Sequence, residues 1–179
     1  ELKHFLLLAR EQNFNPEELK GSYAGAMGMP QFISSSYRNY AIDFDGDNVV
    51  DIWNNPNDAI GSVANYFFQH GWKNDETIIT QVVIKGEDYK NVLDEKLELN
   101  INKYDLEKYG ILTNSDFDDG EKLKLFEFKL EDSSEYWLAQ KNFYVITRYN
   151  HSKLYAMAVH QLALKIKERK NVNNSITEN

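Results

Sequence analysis

The hydrophobic pattern of this chain changes near residue 76 and again near residue 148, and these changes limit the folds that it can adopt. Before residue 76, apolar residues such as Ile60, Val63 and Phe67 recur at helical spacing. After it, the runs TIITQVVI, KLELNI, KLKLFEFKL and YWLAQKNFYVI are alternating or rich in β-branched residues, which is typical of short strands. Beyond RYNHS, Tyr155 and Leu162 begin another helical stripe.

The pattern therefore predicts an α+β, mainly helical chain with a small inserted antiparallel β module. The expected parts are a helical body over 1–75, a β-rich insert over 76–147, a returning helix over 148–170 and a flexible tail over 171–179. The stretch NNPNDAIG predicts the start of one helix, with Asn55 as N-cap, Pro56 at the first helical position and Asp58 in the capping-box position.

Composition excludes several classes of function. The formal net charge of −8 among 179 residues argues against nucleic acid as a partner, because such binding needs a basic surface. The chain has no cysteine, which excludes disulfides, thiolate catalysis and zinc-thiolate sites. Aromatic residues make up 13% of the chain, with 11 tyrosines, which suits a hydrophobic core and a sugar-binding groove equally well.

The acidic stretch DFDGDNVVDIW over 43–53 is the strongest metal-binding pattern in the chain. Asp43, Asp45 and Asp47 occupy the first, third and fifth positions of an EF-hand-like loop, and Val49 would offer its backbone carbonyl at the seventh. The twelfth position is Asn54, so we expect Asp58 to supply the closing carboxylate. The alternative is a solvated acidic turn, with Asp58 acting only as a helix cap. Ca²⁺ is favoured over Mg²⁺, which requires a tighter octahedral shell.

Three long blocks carry a resemblance to a known family: GSYAGAMGMPQFISSSYRNYAIDFDGDNVVDIW, DAIGSVANYFFQHGW and NFYVITRYNHSKLYAMAV. They resemble the membrane-bound lytic murein transglycosylase B family, the family 3 lytic transglycosylases. The resemblance implies a lysozyme-like, goose-type core with a calcium-binding EF-hand-like loop and no organic cofactor. It also implies cleavage of the β-1,4 bond between N-acetylmuramic acid and N-acetylglucosamine of peptidoglycan, with a 1,6-anhydromuramic acid product.

The general-acid glutamate of that family has no counterpart among these residues, and we expect it upstream of Glu1. Glu1, Glu11, Glu17 and Glu18 lack the apolar surroundings that raise the pKa of such an acid. This chain alone is therefore expected to be inactive. The alternative is a non-catalytic module that binds peptidoglycan through the same fold.

The resemblance implies a set of substrate-binding residues in this chain. They are Ser22, Gln31, Phe32, Ile33, Tyr66, Tyr149, Asn150 and Tyr155. On spacing alone, Phe32, Ile33 and Tyr66 are core residues, and Tyr149 and Asn150 are a strand end and a helix cap.

The expected partners are peptidoglycan glycan strands and no nucleic acid, with the protein acting as a monomer. The resemblance implies a periplasmic location in the bacterial cell envelope. Outer-membrane attachment would come only through an N-terminal lipid anchor that these residues do not include.

Overall fold

The computed structural model describes residues 1–177 and, beyond Val172, the backbone alone. The chain divides into two compact units, residues 1–70 and residues 71–179. Within the described part, the regular structure consists of five α-helices, three short 3-10 turns and one five-stranded antiparallel sheet. The predicted combination of helices with an antiparallel sheet is therefore confirmed.

The first unit contains three helices: α1 (Leu2–Glu11), α2 (Ser34–Tyr40) and α3 (Pro56–Gln69). Helix α3 begins as predicted, because the Asn55 side chain accepts a hydrogen bond from the backbone N–H of Asn57 at 3.0 Å. It ends before Gly71, whose φ of +87° is a conformation that favours glycine.

Charged side chains hold α1 against α2. Arg38 of α2 donates from Nε and Nη2 to the two carboxylate oxygens of Glu11, each at 2.7 Å, and its Nη1 lies 2.9 Å from Nδ1 of His4. At the start of α2, the carboxylate of Glu1 accepts hydrogen bonds from the backbone N–H and the hydroxyl of Ser35 at 3.0 and 2.8 Å. Glu1 thus supplies the N-terminal cap that α2 lacks in its own sequence.

An aromatic group in the same unit fixes the segment that follows the acidic loop. The rings of Phe14, Tyr37 and Trp53 lie 5.5 to 6.4 Å apart, centroid to centroid. The Tyr37 hydroxyl donates to the carbonyl of Val50 at 2.7 Å, and burial raises the pKa of Tyr37 above its usual value. The end of the acidic loop is therefore tied to α2.

The second unit is built around the sheet. Its strands are β1 (Ile79–Ile84), β2 (Ile101–Asn102), β3 (Ile111–Leu112), β4 (Lys122–Lys129) and β5 (Ser134–Ala139), in the spatial order β2-β4-β5-β1-β3. The longest pairing joins β4 and β5 and aligns Phe126 with Trp137. Alternate residues of β4 point to opposite faces. Leu123 and Leu125 join the core of the insert, whereas the ring of Phe126 packs 5.5 Å from that of Phe143.

The predicted strand over YWLAQKNFYVI is wrong in its second half. Strand β5 ends at Ala139, and helix α4 (Lys141–Tyr149) follows it. The reason is tertiary, because Asn142, Phe143 and Ile146 are buried at helical spacing. Asn142 also donates to the carbonyl of Lys73 at 2.7 Å and accepts from its N–H at 3.0 Å. These bonds fix the start of the helix.

The last helix, α5, runs from Lys153 to Thr177. It begins later and ends later than the predicted returning helix, so residues 171–177 of the predicted tail are helical. The rest of that tail, residues 178–179, lies outside the described residues. Over the described part of the chain, none of the helices has the length and apolar character required to cross a bilayer.

Candidate functional site

The first group of predicted site residues lies in the segment between α1 and α2. Ser22 is exposed and forms a tight turn, in which its hydroxyl accepts the N–H of Ala26 at 3.1 Å. The Ser22 N–H in turn donates to the Ala26 carbonyl at 2.8 Å. The hydroxyl of Ser22 is therefore held at the surface by the backbone of Ala26.

Gln31 has an unusual backbone conformation. Its φ is +54°, in the left-handed region that a non-glycine residue rarely adopts. The side-chain Nε2 donates to the carbonyl of Gly28 at 2.8 Å. Gly28 has a φ of +65°, and a Cβ at this position would lie 2.7 Å from Ile52. Strain of this kind concentrates at functional sites, and here it holds an exposed amide in one orientation.

Phe32 and Tyr66 are buried, with 3% and 8% of their surface exposed. Their ring centroids lie 5.9 Å apart, and the Tyr66 ring also stacks on His70 at 4.0 Å. Ile33 is half-buried and precedes the first residue of α2. This burial matches the core interpretation given by spacing alone and restricts the sugar contact that either ring offers.

The second group lies in the other unit, at the turn from α4 to α5. Tyr149 is the last residue of α4 rather than a strand end, and the exposed Asn150 follows it. The hydroxyl of Ser152 accepts the N–H of Tyr155 at 3.2 Å, and this bond caps α5. Tyr155 is 36% exposed. Chain connectivity thus brings Tyr149, Asn150 and Tyr155 together at one turn.

The acidic loop brings three of its predicted ligands together. Oxygen atoms of Asp43, Asp45 and Asp47 lie within 4.8 Å of one another. The carboxylate of Asp43 accepts three backbone N–H groups of the loop, including that of Asn48 at 2.8 Å. Asn48 has a φ of +70° and thus takes the left-handed place that glycine has in a standard EF-hand.

Two side-chain amides favour the ionised form of Asp45. The amides of Asn55 and Asn57 donate to its carboxylate at 2.9 and 3.3 Å and lower its pKa. An ionised carboxylate is the form that a hard cation binds. The local chemistry of the loop therefore fits a calcium ion.

Asp58 has a different place from the one predicted. It lies outside the group formed by the other three carboxylates and is fully buried. Its two oxygens accept the N–H groups of Phe44 and Asp51 at 2.8 and 2.9 Å. The capping-box role is wrong, because the N–H of Asn55 donates to the carbonyl of Asp51 instead. Asp58 holds both ends of the loop from inside.

Asp51 is a structural residue of the loop that the sequence patterns did not single out. Its Oδ1 accepts the N–H groups of Trp53 and Asn54, each at 2.9 Å. Burial opposes ionisation of Asp51, but these bonds offset it and lower the pKa overall. An aspartate directly before a tight turn is the signal that would have identified it.

Comparison with known proteins places the chain in a family. A family model described as Transglycosylase SLT domain matches residues 1–164. The chain is similar to membrane-bound lytic murein transglycosylase B of Escherichia coli (strain K12), with 41% identity over 162 residues, which cover 90% of this chain and 44% of that relative.

Solved structures agree with this placement. Soluble lytic transglycosylase SltB1 from Pseudomonas aeruginosa superposes with a TM-score of 0.88 at 46% identity, covering 95% of this chain and 56% of that one. Escherichia coli Slt35 in complex with calcium gives a TM-score of 0.83 at 39% identity, covering 94% and 52%. Pseudomonas aeruginosa SltB3 in complex with NAG-NAM-pentapeptide gives 0.76 at 31% identity, covering 93% and 45%.

The chain spans about half the length of the relatives that it matches. Its helices and antiparallel sheet form the lysozyme-like fold of lytic transglycosylases. Because the family model covers all but the last 15 residues of the chain, this chain belongs to the Transglycosylase SLT domain family.

Proposed function

We propose that this chain supplies the glycan-binding part of a peptidoglycan lytic transglycosylase of the bacterial cell envelope. The reaction cleaves the β-1,4 bond between N-acetylmuramic acid and N-acetylglucosamine and leaves a 1,6-anhydromuramic acid end. The observation that carries this proposal is the similarity, over nine-tenths of the chain, to a relative named as a lytic murein transglycosylase. The complex of SltB3 with NAG-NAM-pentapeptide supports the substrate class.

The general acid of this reaction is proposed to come from a segment upstream of Glu1. Such an acid needs a raised pKa. Glu1 and Glu11 have the opposite shift, since hydrogen bonds from Ser35 and Arg38 lower their pKa values. Glu18 is exposed and accepts the side-chain amide of Asn15 at 2.8 Å. Each of these three carboxylates forms a structural hydrogen bond or ion pair, and none has the apolar pocket that a general acid needs.

The exposed site residues are proposed to contact the glycan directly. The Gln31 amide is suited to an N-acetyl group, and the Ser22 hydroxyl to a hydrogen bond with the general acid. Tyr149, Asn150 and Tyr155 are suited to orienting the sugar or stabilising developing charge.

The buried residues of the site are proposed to support the exposed ones by packing beneath them. Phe32 and Tyr66 are too enclosed for full sugar stacking, and Ile33 is half-buried. Their packing would hold the backbone of Gln31 in its strained conformation.

A calcium ion is proposed to bind the acidic loop. Asp43, Asp45 and Asp47 would hold it, together with the backbone carbonyl of Val49. Asp58 was expected to close the shell, but both of its oxygens already accept backbone N–H groups, so its proposed role is to shape the loop. The ion would supply positive charge that offsets repulsion among the carboxylates. The calcium complex of Slt35 supports the choice of ion.

Thermal unfolding with calcium and with chelator tests the loop. At 100 times its dissociation constant, calcium stabilises the folded chain by about 2.7 kcal/mol, which corresponds to a rise in Tm of about 5 to 10 °C for a domain of this size. Asp43→Asn should lose this response, whereas Asp88→Asn, at an exposed position of the insert, should keep it. Equal melting with calcium and chelator would contradict the proposal.

Digestion of purified peptidoglycan, followed by mass spectrometry of the products, tests the enzymatic role. We expect anhydro-muropeptides from the protein encoded by the full reading frame. Residues 1–179 alone should sediment with peptidoglycan and release none. Product release by residues 1–179 alone would refute the assignment of the acid. The second candidate function is a non-catalytic module that binds glycan. The structural roles of Glu1, Glu11 and Glu18 favour it for this chain on its own. A full-length protein that binds peptidoglycan without cleaving it would establish this candidate.

A further inference from the structure

A cavity of about 760 Å³ lies in the second unit, and none of its lining residues belongs to the proposed glycan site or to the acidic loop. The linker before β1, the turn over residues 116–121 and the start of α4 form its walls. Its volume is within the range of small-ligand pockets, roughly 300 to 1,000 Å³. Three lysines and six carboxylates line it, so the cavity carries an excess of negative charge.

Part of this charge is neutralised internally and part is left open. Glu76 pairs with Lys73 at 3.0 Å, and Asp119 pairs with Lys103 at 2.6 Å. The carboxylates of Asp75 and Asp118 form no hydrogen bond or ion pair with any residue that the structure describes. Asp118 attracts Lys73 only at longer range, so two carboxylates without a direct partner are available to a cationic ligand.

Buried amides make the cavity rigid. Gln140 is 8% exposed. Its Nε2 donates to Glu121 at 3.2 Å, and its Oε1 accepts the hydroxyl of Thr80 at 3.3 Å. Asn142 holds the linker through both the carbonyl and the N–H of Lys73. A binding surface fixed in this way loses little conformational entropy when a ligand binds.

The arrangement of charge favours an organic ammonium group over a metal ion. Within residues 1–172, where side chains are described, only the loop carboxylates Asp43, Asp45 and Asp47 converge within 4.8 Å. The carboxylates of the cavity do not converge in this way. Lys122 and Lys141 on the same walls offer partners for a carboxylate of the ligand. A ligand with both an ammonium and a carboxylate group would pair with the carboxylates and with the lysines of the cavity.

We infer that this cavity binds a short peptide with a free ammonium group and a carboxylate, the chemistry of the stem peptides of peptidoglycan. The inference rests on the proposed function, because it assigns a second part of the same substrate to the β-rich unit. The ammonium would lie against Asp75 and Asp118, and the carboxylate against Lys122 or Lys141.

The test is a ¹⁵N NMR titration of residues 1–179 with the peptide N-acetyl-L-alanyl-γ-D-glutamyl-L-lysine, in which the lysine ε-amine is the single ammonium group. The amide signals of Gly120, Glu121 and Lys141 should shift. Acetylation of the lysine ε-amine should weaken binding by about tenfold or more, and Asp118→Asn should do the same, because a charge-assisted hydrogen bond contributes about 1.5 kcal/mol or more. The matched control Glu131→Gln, an exposed carboxylate outside the cavity, should bind like the unsubstituted chain.

Any one of the following results would overturn the inference: shifts confined to other residues, equal affinity for the acetylated peptide, or no effect of Asp118→Asn. A peptide that causes no shift at all would do so too. Sedimentation with glycan strands stripped of their stem peptides separates this inference from the proposed function. Binding to stripped strands without peptide shifts would refute only the peptide site. Peptide shifts without glycan binding would leave the peptide site standing and count against the proposed function.

Discussion

Replacement of Asp58 by asparagine is the sharpest test of how the acidic loop is built. The carboxylate of Asp58 is fully buried and accepts the N–H groups of Phe44 and Asp51 at 2.8 and 2.9 Å. Asparagine keeps the volume of the side chain. One of its two terminal atoms becomes an NH₂ group, however, and this group would face a backbone N–H that it cannot bond.

The expected loss follows from these two hydrogen bonds. A hydrogen bond to a charged group contributes about 1.5 to 3 kcal/mol. Asp58→Asn loses one bond outright and weakens the other, so the free energy of unfolding should fall by about 3 kcal/mol. For a domain of this length, that loss corresponds to a fall in Tm of about 6 to 12 °C.

The assay is urea unfolding followed by far-UV circular dichroism, with a chelator present so that metal binding does not contribute. Asp45→Asn is the matched control, because it makes the same chemical change in the same loop. Asp45 is exposed, and its main hydrogen-bond donors are the side-chain amides of Asn55 and Asn57, so its replacement should lower the free energy of unfolding much less. If Asp58→Asn lowers the free energy of unfolding no more than Asp45→Asn does, the buried carboxylate does not hold the loop.

Three other substitutions test local features by the same unfolding assay. Gly28→Ala should destabilise the chain more than Gly25→Ala, because both have positive φ but only at Gly28 would a Cβ meet another residue, at 2.7 Å; equal losses would contradict this. Asp94→Asn should lower the free energy of unfolding by about 3 kcal/mol, and more than Lys124→Met, because it leaves the fully buried ammonium of Lys124 without the negative charge that lies 2.6 Å away; the reverse order would refute the argument. The stability contributed by Asp51 should be complete above its ordinary pKa of 3.8 and disappear as the pH falls through the lower pKa of the folded state. The difference in stability between the unsubstituted chain and Asp51→Asn should therefore shrink in acid, and a constant difference would contradict the pKa assignment.

Sequence patterns alone predicted the features that depend on neighbouring residues. The start of α3 at Asn55 and Pro56 follows from helix capping. The convergence of three aspartates follows from their spacing within the loop. The antiparallel insert follows from the alternation of its strands.

Tertiary contacts decided the features that depend on residues far apart in the chain. The stretch after Ala139 has apolar residues that suit a strand, yet it folds as α4 because Asn142 bonds to Lys73, 69 residues away. Phe32 and Tyr66 become buried because their rings pack on each other across 34 positions of the sequence.

Asp58 shows the difference between what the sequence predicts and what the tertiary structure decides. Its sequence position is that of a helix cap or a metal ligand, and both alternatives assume that the carboxylate points outward. The fold instead turns it inward, onto the N–H groups of Phe44 and Asp51. The sequence determined which chemical groups this chain has and their spacing. Only the fold decided which of them lose water, because burial depends on what the rest of the chain packs against them.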